Sequence, residues 1–253
     1  MPEAEVVVWD DPSVDWDAFD LVLLRSTWDY SPRREEYIAW AEPIGERLHN
    51  PVEVVRWNTD KRYLVDLRAA GLPIVPTSFF APGDNTVEIT EGRSVVKPAV
   101  SAGSMNTASH TDPVQAAAHV QRLLDEGRVV MLQPYIEEID VQGETALIYF
   151  DGVFDHAIRK APILTQGEAT IEGLFAPESI EPRDPRPEER AVGDAVVAEV
   201  ERRFGRLLYT RVDLVGDSPA VLELELTEPS LFFSHSDGAA GRFAAAIRRR
   251  LPG

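Results

Sequence analysis

Short apolar runs and amphipathic stretches follow one another along the whole chain, and they predict alternating strands and helices. Runs typical of strands occupy residues 5–9, 21–25, 78–80, 94–97, 129–133, 145–150 and 153–159, and a hairpin spans 207–226. Apolar positions at helical spacing occupy 35–47, 58–71, 112–127, 191–204 and 238–251. Residues 161–190 are rich in Pro, Glu and Gly, so a long functional loop is predicted there.

Turn and cap residues support these boundaries. Asp151-Gly152 separates two strand-like runs and is a strong hairpin signal. Asp112-Pro113 suits the start of a helix, and Asn58-Thr59-Asp60 is predicted to cap another helix, which Lys61 opens.

Composition excludes several classes of function. The 253 residues carry a formal net charge of -18, which argues against nucleic acid as the main partner. No apolar run reaches 18 residues, so no membrane span is predicted. The chain has no cysteine, which excludes disulfides and thiol catalysis and favours the cytoplasm. Only Lys61, Lys97 and Lys160 are lysines in a chain that otherwise uses arginine, so each is a candidate for a specific role.

A lysine and a loop of small residues suggest phosphate binding. Lys97 ends a strand, and Ser101, Gly103 and Ser104 follow in a loop whose backbone N–H groups can meet phosphate oxygens. Lys61 and Lys160 offer two further ammonium groups. The alternative for each is an ordinary solvated lysine.

The strand that ends at Gln133 suits an adenine ring. Pro134 removes a backbone donor there, and Tyr135 and Ile136 continue a segment whose open backbone groups can face a ligand. Asp140 can then accept hydrogen bonds from a ribose. A strand that simply leaves the sheet, followed by an acidic surface loop, is the alternative.

Charged residues alternate on the late hairpin. Alternation puts Arg211 and Asp213 on one face, and Glu223 and Glu225 on one face of the partner strand. Carboxylates gathered in this way repel each other unless a cation lies between them, and oxygen ligands without cysteine favour Mg²⁺. A solvated strand face is the alternative.

The order of these motifs resembles the ATP-grasp superfamily of carboxylate–amine ligases, from about residue 57 to the end. More closely, several segments resemble the subgroup that contains O-ureido-D-serine cyclo-ligase of cycloserine biosynthesis. Those segments are 24–30 (LRSTWDY), 57–61 (WNTDK), 96–98 (VKP), 133–135 (QPY) and 225–231 (ELTEPSL).

The resemblance implies roles for individual residues. Lys61 and Lys97 match the phosphate-binding lysines of the family, and Ser101 to Ser104 match its mobile phosphate loop. Gln133 to Ile136 match the adenine hinge, and Asp140 matches the ribose-binding acid. Arg211 matches a basic group at the transferred phosphate, and Asp213 and Glu225 match magnesium ligands. The family often has a Glu-x-Asn motif whose asparagine is the last metal ligand. In this chain Glu225 is the glutamate, but Thr227 stands in place of the asparagine. Glu223 or Glu228 is therefore expected to complete the metal site. The acyl substrate is expected to lie against Arg25, Trp28 and Tyr30. Lys160 is expected to face the phosphoryl group that is transferred.

The same resemblance implies an α+β fold, with two subdomains that clasp ATP at 58–136 and 137–253. A shortened Rossmann-like substrate domain is expected at 1–57, because no strand and helix precede residue 5. The implied reaction is ATP- and Mg²⁺-dependent formation of a C–N bond through an acylphosphate, with small carboxylate and amine substrates, as in a cyclisation. A kinase-like enzyme and a non-catalytic ATP-binding protein are the alternatives, and a homodimer is expected.

Overall fold

The computed structural model describes residues 4–84, 89, 91–103, 105–162 and 179–252. Its strands are β1 (Val22–Leu23), β2 (Leu48–His49), β3 (Ser78–Phe80), β4 (Ser94–Pro98), β5 (Ala108–His110), β6 (Val130–Pro134), β7 (Glu144–Phe150), β8 (Val153–Lys160), β9 (Ile180–Pro182), β10 (Tyr209–Val215) and β11 (Ala220–Glu225). Its α-helices are α1 (Arg34–Ala41), α2 (Val52–Asn58), α3 (Tyr63–Ala69), α4 (Pro113–Asp125), α5 (Ile139–Gln142), α6 (Pro187–Phe204) and α7 (Ala239–Arg248).

Two antiparallel sheets dominate the fold, in the orders β11-β10-β7-β8-β9 and β3-β6-β4-β5. One face of the larger sheet packs against α6 and α3 through a core that includes Leu147, Val196 and Leu67, and its other face receives α7. The smaller sheet packs against α4. This mixture of sheets and helices confirms the predicted α+β class.

A separate aromatic core lies at the N-terminal end. Tyr37 stacks on Tyr30 and Trp40, and Trp9 packs edge-on against Tyr37. This core surrounds the short parallel pair β1-β2. The boundaries predicted at 57/58 and 136/137 stay a prediction.

Asparagine side chains connect the N-terminal part to the large sheet. The Asn50 amide donates to the carbonyls of Tyr209 (3.0 Å) and Leu226 (2.7 Å), and its oxygen accepts from the Leu208 N–H at 3.0 Å. Asn58 makes the matching pair of bonds to Leu224 (2.7 Å) and Leu226 (2.7 Å). The two asparagines therefore fix the position of the segment that follows β11.

Some sequence-based boundaries were wrong. Residues 5–9 form no strand: none of the strands in the described residues pairs with them, and Val6 is 99% exposed. The predicted helix over 35–47 changes to 3₁₀ geometry after Ala41, because Pro43 enters and Gly45 adopts a positive φ of 63°. Most of the predicted 161–190 loop lies outside the described residues, but its last part forms β9 and the start of α6.

The predicted cap at 58–60 was wrong for Asn58, whereas Asp60 Oδ1 accepts the Arg62 N–H at 3.0 Å in the turn before the next helix. Asn58 ends α2, and its side chain bonds to β11 instead of capping a helix. The next helix, α3, begins only at Tyr63, so Lys61 lies in the turn before it. Within the described part of the chain, no helix is long and apolar enough to span a membrane.

Candidate active site

The two large sheets and the N-terminal part line one cavity of about 300 Å³. Most of the predicted site residues lie on its wall. They are Trp28, Tyr30, Lys61, Lys97, Ser101, Gly103, Gln133, Tyr135, Ile136, Lys160, Arg211, Glu223, Glu225 and Glu228. Arg25, Asp140 and Asp213 are not on the wall, and Ser104 lies outside the described residues.

Strand pairing gathers the predicted charges on one face of the large sheet. Arg211 lies opposite Glu225 across the β10–β11 pair, and Asp213 lies opposite Glu223. The predicted alternation is therefore confirmed. The Arg211 guanidinium donates to both Asp213 oxygens, at 2.9 and 3.0 Å, and also contacts Glu225.

Lys160 completes this network from β8. Its ammonium lies 2.7 Å from Asp213 Oδ2 and 2.7 Å from Glu144 Oε2. Sequence reasoning missed Glu144, whose only signal is its position opposite Lys160 in the β7–β8 pair, and that register is visible only in the folded sheet.

The network sets the charge state of its members. Burial raises the pKa of Asp213, but Arg211 and Lys160 outweigh burial and bring that pKa to about 2. Burial lowers the pKa of Lys160, but Asp213 and Glu144 outweigh it, so the pKa is raised. For Glu225 burial prevails over Arg211 and raises the pKa to about 7. Asp213 is therefore a fixed anion, whereas Glu225 titrates near neutral pH in the absence of a further cation.

The three lysines are buried, so the alternative of solvated surface lysines was wrong. Lys61 is 7% exposed, Lys97 9% and Lys160 7%. The Lys61 ammonium donates to the Ser101 carbonyl at 3.0 Å and lies 3.2 Å from Glu223. Burial lowers the pKa of Lys97, because a desolvated ammonium is disfavoured. A phosphate anion beside Lys97 would favour its charged form.

Apolar side chains also contribute to the cavity wall. Ile136 and Leu222 lie on its wall. The Gln133 amide donates to the Thr77 hydroxyl at 2.9 Å. The Tyr135 hydroxyl donates to Asp140, and the Arg93 guanidinium lies 3.4 Å from the centre of the Tyr135 ring. Asp140 is thus engaged by Tyr135 behind the cavity wall.

The residues predicted to face an acyl substrate divide into two groups. Trp28 and Tyr30 line the cavity. The Arg25 guanidinium donates instead to the Pro229 carbonyl at 2.6 Å and supports the segment after β11. Sequence reasoning missed Phe232, which lines the cavity with a left-handed backbone (φ 48°) beside Arg211.

The donor set fits magnesium in chemical type. Glu223 and Glu225 present oxygen atoms at the cavity wall, with Asp213 behind them. In the part of the chain that the structure describes, no three His, Asp or Glu side chains converge on one metal position. Mg²⁺ commonly takes one or two protein carboxylates and completes its shell with phosphate oxygens and water, which this arrangement can provide.

Known proteins resemble the chain over nearly its whole length. A family model described as the N-terminal domain of D-cycloserine synthetase DcsG matches residues 2–50. The cycloserine biosynthesis protein DcsG of Streptomyces lavendulae is 40% identical over 268 residues, covering 98% of this chain and 89% of that protein. The crystal structure of D-cycloserine synthetase DcsG superposes with a TM-score of 0.88 at 39% identity, with the same coverage of 98% and 89%.

More distant structures share the fold. D-alanine–D-alanine ligase from Bacillus anthracis, complexed with ATP, has a TM-score of 0.57 at 19% identity and covers 79% of this chain and 69% of its own. The ATP-grasp ligase PsnB, complexed with a phosphomimetic variant of its minimal precursor, Mg and ADP, has a TM-score of 0.55 at 18% identity, with coverage of 88% and 68%. These comparisons confirm the resemblance inferred from the sequence: the chain belongs to the DcsG family of ATP-grasp ligases, ATP-dependent enzymes that form C–N bonds.

Proposed function

We propose that this enzyme closes a ring on a small amino-acid-like substrate by activating its carboxylate as an acylphosphate, with ATP and Mg²⁺. O-ureido-D-serine is the proposed substrate, because the most similar relatives act in cycloserine biosynthesis. The observation that carries the proposal is the arrangement of buried cations and acids around one cavity. Lys61, Lys97, Lys160 and Arg211 lie among the carboxylates of Glu144, Asp213, Glu223, Glu225 and Glu228.

The proposal assigns the two ends of the cavity to the two parts of ATP. Gln133, Tyr135 and Ile136 flank the adenine, with Asp140 next to the ribose. Lys61 and Lys97 pair with phosphate oxygens, and the Ser101–Gly103 segment supplies backbone N–H groups from the same side. Asp140 has to exchange its bond with Tyr135 to reach a ribose hydroxyl.

In the chemical step the substrate carboxylate is itself the nucleophile, so the protein mainly has to neutralise the negative charge of the phosphates. Asp213 and Glu225, with Glu223 beside them, would hold magnesium, which neutralises phosphate charge when bound. Arg211 and Lys160 stabilise negative charge as the phosphoryl group passes to the substrate carboxylate. The ureido nitrogen that is bonded to oxygen then displaces phosphate and forms the new C–N bond, and hydrolysis of its carbamoyl group releases CO2 and ammonia.

Further parts of the proposal concern surroundings and partners. The substrates are small molecules, with the acyl end next to Trp28 and Tyr30. The chain has no cysteine and a net charge of -18, which supports a cytoplasmic location and argues against nucleic acid as a partner. A homodimer stays part of the proposal.

Nucleotide binding is tested first by thermal denaturation with ATP and Mg²⁺. A ligand at about 100 times its dissociation constant adds roughly 2.7 kcal/mol, which for a chain of this length is a rise of about 5–10 °C. The Lys97→Met variant keeps the buried methylene volume but loses the charge, so the rise is expected to vanish. Arg122→Ala, which removes an exposed cation on α4, is the matched control and should keep the full rise. A full rise in Lys97→Met would contradict the phosphate role of Lys97.

The reaction itself is tested with O-ureido-D-serine as substrate. We expect ADP, phosphate, cycloserine, CO2 and ammonia to appear in equal amounts, and none of them without Mg²⁺. ADP release without a cyclic product would indicate the kinase-like alternative. A thermal shift with ATP but no ADP release from this substrate or related amino acids would indicate the non-catalytic alternative.

A further inference from the structure

Glu228 is a buried acid that forms no ion pair with any of the described residues. It is 9% exposed and lies on the cavity wall. The neighbouring acids Glu144, Asp213, Glu223 and Glu225 each contact a lysine or an arginine. Within the described residues, no ion pair reaches the Glu228 carboxylate, which accepts a hydrogen bond from its own backbone N–H and feels the charges of Lys61 and Arg25 from a greater distance.

The backbone around Glu228 is fixed on both sides. Tyr209 donates its hydroxyl to the Thr227 carbonyl at 2.8 Å. Arg25 donates to the Pro229 carbonyl at 2.6 Å, and Arg211 donates to the Ser230 carbonyl at 3.3 Å. Three side chains thus hold this segment in place, while its one charged side chain is left for something else. This is the arrangement of a preorganised binding group.

An unpaired buried carboxylate has to gain a proton or a cation. Burial raises the pKa of Glu228 to about 8, and Glu225 raises it further while Lys61 opposes. Trp28 and Tyr30 line the same cavity, Tyr30 feels the charge of Glu228, and aromatic rings are good neighbours for a substrate cation. The acids that the proposed function assigns to magnesium lie on β10 and β11, whereas Glu228 lies beyond the end of β11.

We propose that Glu228 binds the ammonium group of the amino-acid substrate. The inference rests on the proposed function and deepens it, because it names the residue that selects a substrate with an unmodified α-ammonium group. Carboxylic acids without that group, and N-acylated amino acids, would leave Glu228 unpaired. Glu228 is thereby a specificity-determining residue, distinct from the groups around the phosphates.

The test compares two ligands in two proteins. The ligands are O-ureido-D-serine and 3-(ureidooxy)propanoate, which lacks only the ammonium group. Dissociation constants are measured by calorimetry in the presence of Mg²⁺ and a non-hydrolysable ATP analogue. The wild-type protein should prefer the amino ligand by roughly 10–100-fold, the range of a charge-assisted hydrogen bond. In Glu228→Gln the preference should fall below about threefold, while Glu126→Gln, on the surface beyond α4, should keep it.

Each other outcome overturns the inference. An equal preference in both proteins means that the ammonium binds elsewhere. Equal weakening of both ligands in Glu228→Gln, together with a higher Mg²⁺ requirement, means that Glu228 is a metal ligand. Failure of the proposed function is visible separately: binding with the expected preference but no ADP release would disprove the ligase reaction and leave the role of Glu228 intact.

Discussion

Replacing Arg211 with methionine is expected to abolish turnover of ATP and to lower the free energy of unfolding by about 3–5 kcal/mol. Arg211 is 6% exposed and neutralises Asp213 and Glu225 together. Its loss leaves two buried carboxylates with Lys160 as the nearest cation. An uncompensated buried charge lowers the free energy of unfolding more than the loss of an exposed ion pair does. Urea denaturation and the rate of ADP release measure the two effects.

Two further variants separate charge from geometry at Arg211. Arg211→Lys keeps the charge but loses the planar fork that meets both Asp213 oxygens, so an intermediate loss of stability is expected. Combining Arg211→Met with Asp213→Asn removes one of the two anions that Arg211 neutralised, so the double variant should be more stable than Arg211→Met alone while remaining inactive. If the changes in the free energy of unfolding caused by the two single substitutions simply add in the double variant, the ion pair between Arg211 and Asp213 does not hold this part of the sheet together.

Local patterns reveal much of this site, because strand alternation has a period of two and needs no knowledge of the fold. Spacing alone placed Arg211 and Asp213 on one face of β10, and Glu223 and Glu225 on one face of β11. The strand pairing in the structure then brings the two pairs together. The sequence also revealed the hairpin turn at Asp151-Gly152, because this residue pair favours the turn type in which both central residues have a positive φ. Both residues adopt positive φ values in the structure.

Contacts between distant segments explain what the sequence did not reveal. The residues before Lys61 match a helix cap, yet Asn58 bonds to Leu224, which is 166 positions away. Arg25 matches a substrate-binding arginine, yet it supports Pro229, 204 positions away. In both cases a polar side chain met backbone groups that no local pattern identifies, and tertiary hydrogen bonds prevailed over local preference.

Glu228→Gln is expected to stabilise the ligand-free protein at alkaline pH, although it weakens substrate binding. The pKa of Glu228 in the folded protein, about 8, lies above the ordinary value of 4.5. The folded state therefore holds this proton more tightly than the unfolded state. The stability that this provides is complete below about pH 4.5 and is lost as the pH rises through about 8. Glutamine cannot ionise, so the variant avoids that loss.

The measurement is urea denaturation in EDTA at pH 5 and at pH 9. At pH 9 the variant should exceed wild type by on the order of 4 kcal/mol, since each unit of pKa shift corresponds to about 1.4 kcal/mol. At pH 5 the two should differ by less than about 1 kcal/mol. Glu126→Gln, which changes an exposed acid, should match wild type at both pH values. A variant no more stable than wild type at pH 9 would mean that Glu228 gains a cation within the ligand-free protein, and the argument for an ammonium-binding carboxylate would fail with it.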